Sequence, residues 1–440
     1  MNISRIHYTL VVAFIALTVA CKGQLTHVLG HVGMRSARIW VGSDQEEAVA
    51  IAVGIEGCRA PERIFRSATL QREGFSCIID IDGLEPGTAY YYKPFIDVAS
   101  GYASTKNYTF KTQELWQFRK DAPDFTMALG SCTFVNEPEY DRPGEPYGGE
   151  FHIFDTIVKK NPDLMLWLGD NIYLREVDFD SYGSIVHRYK HTRSQREIQN
   201  LLKFCPNIAI WDDHDFGPND SNASFVHKDW TLSAFKAFWP NPSFGIPNSD
   251  AEQGITSQLV FCDIEIFLLD NRYHRTSKDT LGSDLPTILG HDQLQWLLQA
   301  LKQSQAPFKL IAVGGQFLNS AQVFENFSNY PQERQLIINE IEKQDIRGVV
   351  FLTGDRHCGE LSILNLSNNN KIYDLTVSPL TSRAYDMSKE TNEYRIDGTI
   401  TGVRHFATLQ FTGKKKHRVL TMNVFDSFGK LLWTRDVPQW

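Results

Sequence analysis

The sequence predicts a chain in two parts: an all-β unit of short strands, then a larger α/β domain. Two observations carry this. Residues 25–112 hold short runs of β-formers separated by Gly, Pro and Asp turns, the pattern of a β-sandwich. Beyond residue 123, apolar strand-like runs alternate with longer helical periods, the rhythm of an α/β sheet. A third observation concerns the ends of those apolar runs. Ionisable residues cluster there, on the sheet edge where open α/β sheets bind ligands.

The first 21 residues stand apart. After Arg5 and His7 comes an uncharged apolar run over 8–20, ending Thr18-Val19-Ala20-Cys21. It is too short for a standard membrane span and has a signal peptide's basic start, apolar middle and small-residue end. A Cys directly after small residues resembles a bacterial lipoprotein processing site, although Thr18 stands where Leu is usual. Residues 1–21 are therefore read as a leader with Cys21 as the lipidated first residue of the mature chain. The folded part is expected in the cell envelope, tethered to a membrane through that lipid. Plain secretion and a retained anchor are the alternatives.

In the β unit the strand candidates are 37–41, 48–53, 76–81 and 89–93. The stretch Leu84-Glu85-Pro86-Gly87-Thr88-Ala89-Tyr90-Tyr91-Tyr92 resembles the corner of fibronectin type III-like sandwiches, where a Tyr anchors a turn. No residue cluster in this unit suggests chemistry, so it reads as a structural partner sooner than a binding module. Residues 114–123 are charged and amphipathic and read as a linker. In the α/β domain, strands are expected at 125–129, 164–168, 208–211, 259–269 in two pieces, 309–313 and 349–352. Helices are expected near 150–160, 182–203, 231–239, 293–303 and 332–343. From 372 onward the tail returns to strands, with a hairpin around Asp426-Ser427-Phe428-Gly429. The domain boundaries are thus 1–21, 25–112 and 123–440.

Composition narrows the function. Hydrophobic residues are 42% and charged residues 22%, which excludes global disorder and a collagen-like chain. Lys and Arg number 44 against 52 Asp and Glu, a net charge of −8, and no nucleic-acid-binding signature accompanies it. Of seven cysteines, Cys58, Cys77, Cys132, Cys205, Cys262 and Cys358 follow Cys21. They are too sparse for a disulfide scaffold, and no Cys-x-x-Cys supports a zinc ribbon. The spacing leaves a Cys58–Cys77 pair open.

Four strand ends deliver the chemistry. They read Gly130-Ser131-Cys132; Gly169-Asp170-Asn171-Ile172-Tyr173; Asp212-Asp213-His214-Asp215, then Gly217-Pro218-Asn219-Asp220; and Gly354-Asp355-Arg356-His357-Cys358. Converging carboxylates would repel one another in a low-dielectric site. A bound cation resolves this and can hold a thiolate as well. The set mixes hard carboxylates with imidazole, thiolate and phenol, which suits two unlike metals better than one. Metals about 4 Å apart are the usual device for in-line attack on phosphorus. A Ser-hydrolase elbow and a phosphate-binding Gly-x-x-x-x-Gly-Lys loop are both missing from the sequence.

These motifs, with Leu289-Gly290-His291-Asp292-Gln293 and Asp270-Asn271-Arg272-Tyr273, resemble the alkaline phosphatase D-type branch of the metallophosphoesterases over residues 123–385. The resemblance implies a four-layer α/β/β/α metallophosphoesterase sandwich behind an N-terminal fibronectin III-like β-sandwich. It implies Fe3+ held by Cys132, Asp170, Tyr173 and His357. Asp170 would bridge to a second site for Ca2+ or another divalent metal, to which Asp213 and Asp355 contribute, with Asn219 as a further candidate. The choice between Asp212 and Asp213 stays open. His214 would contact phosphate or protonate the leaving oxygen, with Asp215 orienting it, and Arg272 or Arg356 would bind the phosphate by charge. The activity implied is hydrolysis of phosphoric mono- or diesters by a metal-bound hydroxide outside the cytoplasm. The competing class is a surface binding lipoprotein with an inactive hydrolase-like domain.

Overall fold

The computed structural model describes residues 25–58, 62–97, 106–249, 252–279 and 285–439; the leader and Cys21 lie outside them. The chain opens with β1 (Thr26–Val32), β2 (Ser36–Gly42), β3 (Ala48–Ile55), β4 (Arg63–Ala68), β5 (Ser76–Asp82), β6 (Ala89–Ile96) and β7 (Tyr108–Lys111). They form two antiparallel sheets, ordered β1-β2-β5 and β4-β3-β6-β7. Alternate residues meet between the sheets: Ile39 and Val41 of β2, Val49, Ile51 and Val53 of β3, Ile79 and Ile81 of β5. This period of two is what a pleated strand imposes. The turn before β6 is pinned by Tyr90, whose hydroxyl accepts the Glu85 N–H at 2.8 Å. All six described cysteines are free, so the pair left open between Cys58 and Cys77 is not formed.

The next part comprises β8 (Phe125–Gly130), α1 (His152–Lys159), β9 (Leu164–Leu168), α2 (Tyr182–Ser194), α3 (Arg196–Phe204), β10 (Asn207–Ile210), α4 (Asp213–Phe216) and α5 (Lys228–Phe238). Then come β11 (Ser257–Phe261), β12 (Ile264–Leu268), α6 (His291–Gln303), β13 (Lys309–Ala312), α7 (Pro331–Lys343) and β14 (Val349–Thr353). The tail supplies β15 (Glu360–Asn365), β16 (Lys371–Thr376), β17 (His405–Thr412), β18 (Val419–Asp426) and β19 (Leu431–Pro438). Two mixed six-stranded sheets result, ordered β10-β9-β8-β17-β18-β19 and β11-β12-β13-β14-β16-β15.

Strand alternation places the layers. Leu310 and Ala312 of β13 and Val350 and Leu352 of β14 share one buried cluster with Met127 and Leu129 of β8 and Leu166 of β9. The intervening Ile311, Val349 and Phe351 pack instead with Leu297 and Leu301 of α6 and Ile337 and Ile341 of α7. The sheets therefore face each other, and α6 and α7 cover the second one. On the first sheet, Trp167 of β9 stacks on Phe154 of α1 at 5.9 Å between ring centroids.

The single helix expected over 182–203 is two. Gln195 is extended (φ −68°, ψ 125°) and separates α2 from α3. α2 packs on α5, whereas α3 packs on α1 and on β1; the break lets each helix present its own face. Through these helices the sandwich docks on the larger part. Trp40 of β2 is buried, with its ring 5.3 Å from Phe238 and the Arg193 guanidinium 4.4 Å from its centroid.

Candidate metal centre

Parallel β8 and β9 and the parallel pair β9–β10 end side by side, while β14 ends in the facing sheet. Their loops pack so tightly that only glycine fits at two positions. A Cβ on Gly169 (φ +92°) would lie 2.8 Å from Asp212 Cβ, and one on Gly354 would lie 2.7 Å from both the Leu168 carbonyl and Ser131 Oγ. Cys132, Asp170, Asp355 and His357, all non-glycine, adopt φ between 50° and 64°. Such left-handed backbone costs free energy and clusters at functional sites.

Cys132, Asp170 and His357 each offer a donor atom within 4.8 Å of the others, and all three are buried. Cys132 Sγ lies 3.4 Å from Asp170 Oδ2 and accepts from Ser378 Oγ at 3.0 Å. The Tyr173 hydroxyl donates to Asp170 Oδ2 at 3.2 Å and stands 3.1 Å from His357 Nε2. His357 Nδ1 faces the Arg383 carbonyl at 2.8 Å. A carbonyl only accepts, so Nδ1 carries the proton and Nε2 turns its lone pair toward Tyr173 and Asp170. Burial pushes the His357 ring down to about 4, which keeps it neutral.

Burial and the charges of Asp213, Asp212, Asp215 and Asp355 push the Asp170 carboxyl well above the usual range. Burial, then the Asp170 charge, does the same to the Cys132 thiol and the Tyr173 phenol. These acids suppress one another's ionisation, and a cation would relieve all of them together.

A second donor group joins Asp170, Asp213 and His214, and a third joins Asp212, Asp213 and Glu325. Asp213 belongs to both. Its Oδ2 accepts the Asp220 N–H at 2.8 Å, and its Oδ1 is buried without a hydrogen-bond partner. Asp212 Oδ1 is taken by Asn271 Nδ2 at 2.7 Å and Arg272 Nε at 2.6 Å. Asp355 is half-buried at the edge, pushed well up by burial and by Asp212 and Asp213. The buried oxygens Asp212 Oδ2 and Asp213 Oδ1, neither with a hydrogen bond, and the raised carboxyls of Asp170 and Asp355 are donors that would fit a metal cation. The His214 ring stacks on Tyr173 at 4.2 Å between centroids, and its backbone N–H donates to Asp170 Oδ1 at 3.2 Å.

Other expected residues are placed differently. Asp215 does not orient His214. Its oxygens are occupied by the backbone N–H groups of Asp212, Asn171 and Ile172 and by the Asn171 amide, and burial pushes its carboxyl up to about 8. Arg272 is fully buried and paired with Asp212 and Glu325. Arg356 donates to Glu390 Oε2 at 2.6 Å and Asn326 Oδ1 at 3.1 Å. Both guanidinium groups are neutralised in place, so neither is presented to a phosphate as expected from charge. Asn219 is exposed in the loop after α4. Sequence reasoning missed Glu325, which pairs with Arg272 and Arg275, and Tyr147, whose hydroxyl lies 3.2 Å from His357 Nδ1.

Three comparisons bear on this site. The family model described as PhoD-like phosphatase matches residues 127–425. Alkaline phosphatase D of Bacillus subtilis (strain 168) is 24% identical over 335 residues, which cover 66% of this chain and 54% of that protein. The chain thus spans about half the length of the curated relative it matches. A solved structure of PhoD superposes with a TM-score of 0.74 at 19% identity, over 94% of this chain and 91% of that one.

Proposed function

This chain belongs to the PhoD-like phosphatase family, and on that premise we propose that it is a metal-dependent phosphoric ester hydrolase. One observation carries the reading: Cys132, Asp170 and His357, all buried, bring thiol, carboxylate and imidazole donors within 4.8 Å of one another. We read the layers as a metallophosphoesterase α/β/β/α sandwich and the N-terminal sheets as a fibronectin III-like module.

Cys132, Asp170, Tyr173 and His357 would hold Fe3+, and Asp170, Asp213 and Asp355 a calcium or similar divalent ion; Asn219, exposed in its loop, would have to turn inward to join them. Bound there, the pair would supply Lewis acidity to a water and to the phosphate oxygens. The chain's own residues do the rest. The Arg383 carbonyl fixes the His357 tautomer. Ser378 Oγ donates to Cys132 Sγ and favours its thiolate. The half-buried His214 ring, braced on Tyr173 and lowered by burial, would contact the phosphate or, once protonated, give its proton to the departing alkoxide. Arg272 and Arg356 act through their carboxylates, holding Asp212 and the 316–326 loop.

The test is metal analysis, a visible spectrum and turnover of aryl phosphate mono- and diesters on the purified chain. Bound iron, a tyrosinate–iron absorption band and turnover are expected. Asp170→Asn and His357→Ala should each lose metal and activity while keeping far-UV circular dichroism; full activity in both would sink the assignment. For placement, the apolar run before Cys21 supports a lipid-anchored envelope protein. Cys21→Ser should release the chain from the membrane fraction; unchanged membrane recovery would refute lipidation.

A further inference from the structure

The arginines buried around the centre are all neutralised. Arg272 and Arg275 pair with Glu325, Arg356 with Glu390, Arg175 with Asp141. Two others close by form no ion pair among the described residues: Arg383 and Arg404. Arg383 is exposed, its guanidinium 5.6 Å from the Tyr147 ring centroid. It is the residue whose carbonyl holds His357, and it follows Ser382, whose Oγ is 3.4 Å from His357 Nε2. Arg404 is half-buried. Its Nε donates to the Thr381 and Ser382 carbonyls, each at 2.9 Å. Its guanidinium occupies the space a side chain at position 149 would need: a Cβ on Gly149 would lie 2.3 Å from Arg404 Cζ. Through those carbonyls Arg404 is held against the segment that carries Arg383; burial and the Arg383 charge depress it below its ordinary value, and the Glu150 charge opposes them. Arg404 has the Glu150 charge to oppose its own, but the exposed Arg383 guanidinium has no carboxylate within ion-pair distance among the described residues, which leaves it able to take an anion.

We propose that Arg383, with Arg404 behind it, forms an anion subsite beside the metal centre that receives a second negatively charged group of the substrate. This deepens the phosphoesterase reading and rests on it: the favoured substrate is a phosphodiester whose non-leaving arm carries a carboxylate or a further phosphate. Arg383 presents the charge beside Tyr147 and His357. Arg404, anchored on backbone carbonyls, sets the position of the 381–383 segment.

The test uses the full, metal-loaded chain and two readouts. Calorimetry compares methylphosphonate with 1,3-propylenediphosphonate. Kinetics compare ethyl 4-nitrophenyl phosphate with its 3-carboxypropyl counterpart, which shares the leaving group. The second anion should improve binding and kcat/KM by about tenfold, the worth of one charge-assisted hydrogen bond, and the gain should sit in KM. Arg383→Ala should bring both ratios close to one, and Arg383→Lys should keep part of them. Equal affinity for the two phosphonates, or a ratio that Arg383→Ala leaves intact, overturns the subsite. A chain that hydrolyses both esters without discrimination keeps the phosphoesterase reading and loses the subsite. One that binds the diphosphonate more tightly through Arg383 yet cleaves neither ester does the reverse.

Discussion

Adjacent carboxylates of identical chemistry are separated here by what their oxygens face. Each keeps one buried oxygen without a hydrogen bond, Asp212 Oδ2 and Asp213 Oδ1, but Asp212 is bound to Asn271 and, at 2.6 Å, to Arg272, whereas Asp213 stands 3.7 Å from that guanidinium. Asp213→Asn should therefore lower the bound divalent metal and activity with little loss of fold. Asp212→Asn leaves the fully buried Arg272 short of a counter-charge and should cost about 3–5 kcal/mol of stability. Metal content and urea unfolding of the two variants check this; the reverse pattern would exchange their roles. The four strand-end motifs are legible in the sequence because apolar runs stop abruptly at Gly or Trp and charged residues follow. Asp215 shows the limit. A carboxylate next to His214 in sequence invites a catalytic pairing, but in a one-turn helix it closes the capping box with Asp212 and serves backbone donors instead.

The loops, as elements, depend on contact distances that sequence spacing does not encode. Gly169 and Gly354 are readable as turn glycines, yet their neighbours across the sheet are not. Gly169→Ala forces both a strained φ and a 2.8 Å approach to Asp212. Gly398→Ala meets a similar φ (+78°) with nothing within 4 Å. Strain of this kind costs roughly 1–3 kcal/mol, so both variants should lose stability and Gly169→Ala more, with metal affinity falling only there. Equal melting temperatures would remove the crowding argument. Glu325 is not legible for a related reason. It lies in an irregular loop after β13, and its role appears only when the pairing of β12 with β13 brings that loop against Arg272 and Arg275. The sandwich strands, by contrast, follow directly from β-rich runs and turn residues, because their pairing is largely local.

Across the whole molecule, buried neutral histidines tie stability to pH. Burial, then Lys203 and Lys106, pushes His27 down to about 3; burial and Arg38 push His31 down to about 4; burial takes His405 to about 4. An unfolded histidine titrates near 6.5. Above that value their contribution is complete. As pH falls through 6.5 toward 4, the unfolded chain binds protons that the folded one refuses, and stability drops. The melting temperature should decline across that window, and His27→Phe should flatten part of the slope; a constant value down to pH 5 would contradict it. The sheet order adds a constraint of another kind. β17, from the last tenth of the chain, pairs with β8, the strand that ends at Gly130 two residues before Cys132. During biosynthesis β8, β9 and β10 emerge long before β17, so β8 keeps an open hydrogen-bonding edge until residue 412 is delivered. Closure of the sheet beneath the candidate centre thus waits on completion of the polypeptide, and a chain stalled short of β17 presents a sticky sheet edge to quality control in place of a finished site.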